Sequence, residues 1–520
     1  MGILSARNYK LAILLGVLVG VTGTAIKWTL HEGLRRVHDK TVRTAFPRRE
    51  SPLNYDPANI QLAYEYIFLE TIYSSLVEYD SEGNIKPGVA ERFWWDEGRL
   101  NFQIKSGLET ADGYEISAED VIFSLKRVMI LGGNTHGNLV DLLCGDIPLR
   151  HVDDRCIGLF AKGSIVTLAP RKTTPFLLSM LTGIDFAVIP RRAVDPKTLK
   201  IVEMKNTSGP MYLANVADGK IELLANPKHF NHDPKQPDRI VLISSVGKDS
   251  KESRALELFA EDKIDLITTI DTTSAESVLD FHLNNKSKTN FHSSLDIRMF
   301  LVRFSTSGIR SFSHEERFQI GPALVDSLRR AFSARKLVKT TDQILPHYGE
   351  GGLDQAIVDR IKAKYVEPRF DRAKKVRVYL MRLPDIEIFK AAVTEVLPNA
   401  KFFDTSEEIL PNWGDDDTDI MISGPDLGFI EDISLYSYAV KSGILRTKEG
   451  PDKWLASYMG TLEKEERIRK IRDLHQYNLE SGFAFPCFAS PYVALSRNPW
   501  KITLPKLFAN HPLWQIRLSP

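Results

Sequence analysis

The residues best suited to metal chemistry are His229 and His232, three apart in the run His229-Phe230-Asn231-His232. Imidazoles so close in the chain are able to share a metal ion. They fall in the polar stretch 226–237, however, where exposed histidines are the commoner outcome. Gly163-Ser164-Ile165 lacks the full G-x-S-x-G pattern that presents a nucleophilic serine. The chain carries neither a phosphate-cradling P-loop nor an H-E-x-x-H zinc motif. With no catalytic constellation left standing, the sequence predicts no enzyme, no cofactor and no metal site. Three carboxylates, Asp426, Glu431 and Asp432, crowd one short segment. They are able either to neutralise a cationic ligand group or to serve as turn and cap residues. Of the three cysteines, Cys144 and Cys156 are able to pair across a turn in an oxidising compartment, leaving Cys487 buried. Their spacing does not suit zinc.

The elements that must position these groups belong to a chain of 520 residues, too long for one core and so expected to form more than one domain. Its 43% apolar and 26% charged residues are ordinary for a globular protein. A net charge of +1, without a basic stripe interleaved with aromatics, argues against a nucleic-acid partner. At the N-terminus Arg7 and Lys10 precede an uncharged run from Leu11 to Ile26, with Gly23 and Ala25 at the small positions of a cleavable signal. Extended through Trp28 to Leu30, the same run approaches the ~20 residues of a membrane helix. Residues 1–40 are thus a signal peptide or an uncleaved anchor, and both export everything after residue 40.

Local patterning is richest between Leu69 and Val128. A helical stretch carries Ile67, Ile72 and Leu76, and the acidic turn Asp80-Ser81-Glu82-Gly83 follows. Leu100-Asn101-Phe102-Gln103-Ile104 alternates as a half-buried strand does. Asp112-Gly113 supplies a turn. Ser117, with Asp120 three residues on, forms a capping-box pattern before a helix whose apolar face is Val121, Ile122, Leu125, Val128 and Met129. Near the other end, 463–479 reads as an amphipathic helix with Ile468, Ile471 and Leu474 on one face.

In order and spacing these signals resemble the large solute-binding proteins of peptide-type ABC importers, extracellular solute-binding protein family 5 (the peptide/nickel type). The resemblance is carried by Ile72-Tyr73-Ser74-Ser75-Leu76-Val77, Pro87, Ala90-Glu91, Phe93-Trp94, Phe102, Gly107, Asp112-Gly113, Ala118-Glu119-Asp120-Val121, Ser124 and Arg127. Further blocks follow in the family's order: Asn206 to Leu213, Ile221 to Pro227, Asp238-Arg239-Ile240, Lys263 to Leu266 and Phe485-Pro486-Cys487. The resemblance spans about residues 40 to 515 and is thinnest from 300 to 450. There Gly321-Pro322 is expected to interrupt the helix that follows Phe312.

The resemblance implies an α/β, two-lobed periplasmic-binding-protein fold of the large peptide-binding type II class, preceded by the N-terminal apolar helix. The implied first lobe is 41–272, with an extra subdomain at about 65–185. The second lobe is 273–482, and 483–520 return to the first. The function implied is the solute-binding component of an ABC importer, closing on a small peptide or other small solute and handing it to membrane permease subunits. The chain would be a monomer in the periplasm, touching the inner membrane only through an uncleaved N-terminus. The absence of a cysteine near residue 25 favours a Gram-negative periplasm. A membrane-tethered sensor or scaffold of the same fold is the alternative. Leu53-Asn54-Tyr55-Asp56-Pro57 resembles the family's "L-D-P", which implies main-chain ligand contacts at Asn59, Ile60 and Gln61 and on to Leu62. Laid on 419–432, the family's amine-binding block puts Gly424 on its glycine and Phe429 on its tyrosine, but Gly428 on its aspartate. Asp426, Glu431 or Asp432 would have to supply that carboxylate, with Asp432 the first choice.

Overall fold

The computed structural model describes residues 40–46, 54–60, 63–80, 82–132, 137–145, 149–217, 219–245, 253–269, 274–365, 369–381, 383–404, 417–427, 433–504 and 513–519. The N-terminal run and Gln61, Phe429, Glu431 and Asp432 lie outside these residues. Two large sheets organise the rest. The first has seven strands in the order Thr289–Ser293, Val493–Arg497, Leu266–Thr268, Thr41–Phe46, Arg239–Ser244, Lys220–Ala225 and Met211–Ala217. Thr41–Phe46 is parallel to both of its neighbours, and the other pairings are antiparallel. The second has six strands in the order Lys339–Thr340, Ala484–Ser490, Arg298–Phe304, Ile420–Ser423, Val376–Met381 and Ala400–Asp404. Among the described residues no helix is long and apolar enough to cross a membrane.

A third, four-stranded antiparallel sheet holds Ala90–Asp96, Arg99–Ile104, Ile165–Leu168 and Leu159–Lys162. Its inner face is the alternation visible in the sequence: Leu100, Phe102 and Ile104 are buried. Helix Ala118–Leu131 lies over them, burying Val121, Ile122, Leu125, Val128 and Met129 in the same cluster. The capping box at its start is present. The Asp120 carboxylate accepts from the Ser117 amide at 2.9 Å, the Tyr114 hydroxyl at 2.9 Å and the Arg191 amide at 2.9 Å. Cys144 and Cys156 form a disulfide at the edge of this core, and Cys487 is a buried free thiol. Burial pushes the Cys487 thiol up to about 12.

Two glycines of the expected motifs are explained by close packing. The Gly209 amide donates to Ile72 O at 3.0 Å, and a Cβ at 209 would run into the Ile72 and Tyr73 backbone. Gly424 sits against the Phe300 ring, 3.0 Å from where its Cβ would lie.

Two sequence expectations change. Helix His314–Ala331 runs unbroken through Pro322, where an interruption was expected. A capping box at Ser313 and Glu316 starts it, and Arg329 and Arg330 suit its negative C-terminal end. Gly321 lets the helix lie directly on the Phe485 ring, so packing outweighs the single bond that Pro322 cannot make. The strand exchange also falls later than expected. The chain passes from the first sheet to the second between 293 and 298 and back between 490 and 493, rather than at 273 and 483. In both cases the strand next to the expected division still pairs with its predecessor's sheet.

Candidate functional site

Asp56-Pro57 opens a short 3-10 turn, Pro57–Asn59, in which the Asp56 carboxylate accepts from the Ala58 amide at 3.0 Å. Asn54 braces the same turn, its side chain donating to Asn59 O at 2.7 Å. The turn is anchored from beneath by Arg127. Its guanidinium makes a two-pronged ion pair with Asp56, through Nη1 to Oδ1 at 2.9 Å and Nη2 to Oδ2, while Nε donates to Leu199 O at 2.8 Å. Arg127 is 1% exposed. An arginine so deeply buried needs this pairing, because an unpaired charge there would be costly. Two motif residues 71 apart in sequence thus meet, and the result is a stiff platform with Asn59 exposed and Ile60 half-buried at its rim.

On the second sheet, the segment after Ile420–Ser423 continues as an isolated bridge between Arg298 and Asp426. The Met299 amide donates to Pro425 O at 2.9 Å, and the Leu427 amide to Ile297 O at 2.7 Å. Asp426 is paired with Arg298, Nε to Oδ1 at 3.0 Å. The same guanidinium donates to Thr269 O at 3.3 Å and lies 5.4 Å from the centre of the Tyr492 ring. Arg298 therefore sits at one passage between the sheets and touches Tyr492 at the other, while also reaching Thr269 at the end of strand Leu266–Thr268. Neither Arg298 nor Tyr492 was singled out from the sequence. The available signal was a charged residue opening the apolar strand Arg298-Met299-Phe300-Leu301-Val302.

The two expected ligand segments are linked through the turn Ile184–Phe186, which contacts Pro57–Asn59. A few residues earlier Phe176 and Met180 sit in the apolar cluster that contains Leu427. Tyr438, on helix Ile433–Lys441 and 39% exposed, lies in the field of both Arg303 and Asp426. A separate cavity of about 610 Å³ between the helices His314–Ala331 and Ile386–Val396 shares no residue with these segments.

The histidines behave differently from expectation. His229 is 6% exposed rather than a surface residue. Its Nδ1 accepts from the Asn231 amide at 3.1 Å, so its proton sits on Nε2, which faces Ser74 Oγ at 3.1 Å. In that tautomer the ring donates to the serine and is unable to take its proton. Burial lowers the His229 imidazole to about 3, which keeps it neutral. The His232 ring instead faces the Gln236 side-chain amide at 3.0 Å. Among the described residues no group of three or more His, Cys, Asp or Glu is placed to hold a metal.

Two large sheets are joined by two passages of the chain, at 293–298 and 490–493, and a third, small sheet completes the layout. Among solved structures, Haemophilus influenzae OppA in complex with the peptide RPPGFSPFR matches 93% of this chain and 100% of its own at a TM-score of 0.70 and 13% identity. The murein tripeptide-binding protein MppA of Escherichia coli matches 92% of this chain and 98% of its own at 0.69 and 14% identity. The unliganded open form of MppA matches 92% and 97% at 0.61 and 14% identity. At these identities the likeness establishes the fold. In sequence, the chain is 27% identical to Escherichia coli MppA over 82 residues, 16% of this chain and 15% of that protein. It is 24% identical to the periplasmic oligopeptide-binding protein OppA of Salmonella typhimurium over 196 residues, 34% of each. The aligned parts thus span about a sixth and a third of these relatives. No family model matches the chain.

Proposed function

We propose that this chain is a periplasmic solute-binding protein that captures a small peptide or another small solute between its two lobes and delivers it to an ABC permease. The observation that carries the reading is the fold match, over nearly the whole chain, to a protein solved with a peptide bound. The disulfide supports an oxidising compartment such as the periplasm. In this reading one lobe is built on the seven-stranded sheet, together with the four-stranded subdomain. The other is built on the six-stranded sheet, and the two passages near 295 and 491 form the hinge. Lobe interfaces are a preferred place for such ligands, and hinge closure is a recognised way to enclose them.

Asn59, Ile60 and Gln61 would offer main-chain groups to an extended ligand, on the platform held by Asp56 and Arg127. Phe429 would pack against the ligand beside them. The Asp426 charge is met inside the protein by Arg298. Glu431 and Asp432 are then the better partners for a ligand ammonium. Peptide affinity measured by calorimetry tests this assignment. Asp432→Asn is expected to weaken binding by about 2–5 kcal/mol, the range for truncating one partner of a buried charge pair. If Asp432→Asn and Glu431→Gln both bind like the unaltered protein, a ligand without an α-amine replaces the peptide.

A further inference from the structure

Phe176 and Leu177 are consecutive, yet their side chains enter different cores. Leu177 is fully buried beneath the four-stranded sheet, in the cluster of Leu100, Phe102 and Leu125. Phe176, 2% exposed, points the other way, into the cluster of the six-stranded sheet. There it joins a column of flat groups. The Arg467 guanidinium lies 5.3 Å from the Phe176 ring centre. Phe176 stacks on Tyr458 at 5.3 Å and 26°, and Tyr458 stacks on Trp454 at 5.2 Å and 8°. Tyr436 closes the side with an edge contact to Tyr458 at 5.5 Å. The partners stand on three second-lobe helices, Ile433–Lys441, Pro451–Met459 and Lys464–Glu480. Phe176 is fixed from its own side. Its carbonyl accepts from the Met180 amide at 2.8 Å and from Ser179 Oγ at 3.0 Å. Thr461 O also accepts from Arg467 at 3.2 Å, which holds the guanidinium at the end of the column.

We propose that Phe176 is an interlobe key: an aromatic side chain of the subdomain that seats in the second lobe and holds the two lobes closed independently of ligand. The inference rests on the two-lobe reading above. Opening withdraws the ring from the column and wets both Phe176 and the face of Tyr458. Guanidinium–ring and ring–ring contacts are lost with the buried area. Burial of one phenyl side chain corresponds to about a 10- to 100-fold bias in an equilibrium. Apparent affinity is the intrinsic affinity scaled by the fraction of molecules in the binding-competent form. The key therefore sets how strongly every ligand is held, while the loops at 59–61 and 426–432 set which ligand it is. Its neighbours explain why it is aromatic. An aliphatic side chain would fill the space without stacking between Arg467 and Tyr458.

The test is the interlobe distance in the full chain, measured by electron–electron spin resonance between labels at Val216→Cys and Glu387→Cys. Both positions are exposed, and the native cysteines are paired or buried. The unaltered background should show mainly the short distance without ligand. Phe176→Ala should move the ratio of long to short distances up by about 10- to 100-fold, and Arg467→Gln should move it less, in the same direction. Phe176→Tyr should stay close to the parent. If Phe176→Ala does not fold, Arg467→Gln against Phe176→Tyr carries the test. A Phe176→Ala distribution equal to the parent's overturns the key, even if a mixed peptide pool still closes the chain. If Phe176→Ala opens and no peptide pool changes any distribution, the key stands and the solute-binding reading falls instead.

Discussion

His475 offers a pH experiment whose size follows from its surroundings. It is fully buried on helix Lys464–Glu480 and bonded at both ring nitrogens. Nε2 accepts from the Ile344 amide at 2.9 Å, and Nδ1–H donates to Gly351 O at 2.9 Å. One neutral imidazole thus closes the loop 344–351 onto the helix. Burial is the larger cause lowering its proton affinity, partly offset by the Gly351 carbonyl, and the group falls from 6.5 to about 4. The folded state therefore prefers the neutral ring. Its stabilisation is complete above pH 6.5 and is lost as pH falls through the folded value near 4. The gap between those values corresponds to about 3 kcal/mol at full loss. Between pH 7.5 and pH 5 the loss is about 2 kcal/mol, or roughly 30-fold in the local opening equilibrium. Hydrogen exchange of peptides covering 344–353, corrected for the intrinsic rate at each pH, should show protection falling by about that factor. The variant His475→Gln should be less protected at pH 7.5 and nearly insensitive to the same pH step. An equal pH-dependent loss in both proteins would refute the assignment of the switch to this ring.

The Cys144–Cys156 bridge closes a loop with a sequence separation of 12, so reduction or Cys144→Ser is expected to destabilise the subdomain by about 3 kcal/mol. Limited proteolysis between 137 and 170 would report it, and equal cleavage of both forms would count against it. Cys487, buried and with its thiol pushed up to about 12, should resist a neutral-pH thiol reagent in the native chain and react fully after unfolding.

Much of the first lobe was legible because its signals are local. Ser117 and Asp120 cap a helix within four residues, and Leu100-Phe102-Ile104 shows its buried face by alternation alone. The glycine at 209 was legible only as part of a motif, because its reason is the Ile72 backbone 137 positions earlier. Pro322 misled because helix propensity is a local rule, and here the fit of Gly321 on Phe485 decides the outcome. Candidate site residues were harder. Asp426 read as a ligand carboxylate or a turn residue, since nothing in the sequence reveals that Arg298, 128 residues away, is its partner. Phe176 was not singled out from the sequence, because its role depends on which of two cores it enters. The strand exchange was placed too early for a similar reason. Short strands at 289–293 and 484–490 do not reveal which sheet receives them.

The central claim is that a small solute binds this chain between its lobes. Ligand-dependent unfolding of the exported chain, screened against mixed-sequence short peptides and then single ones, tests it most directly. A true ligand at a hundredfold excess over its dissociation constant should stabilise the protein by about 2.7 kcal/mol and raise the unfolding temperature in proportion. A screen across peptides and small metabolites in which no compound shifts the transition would contradict the account.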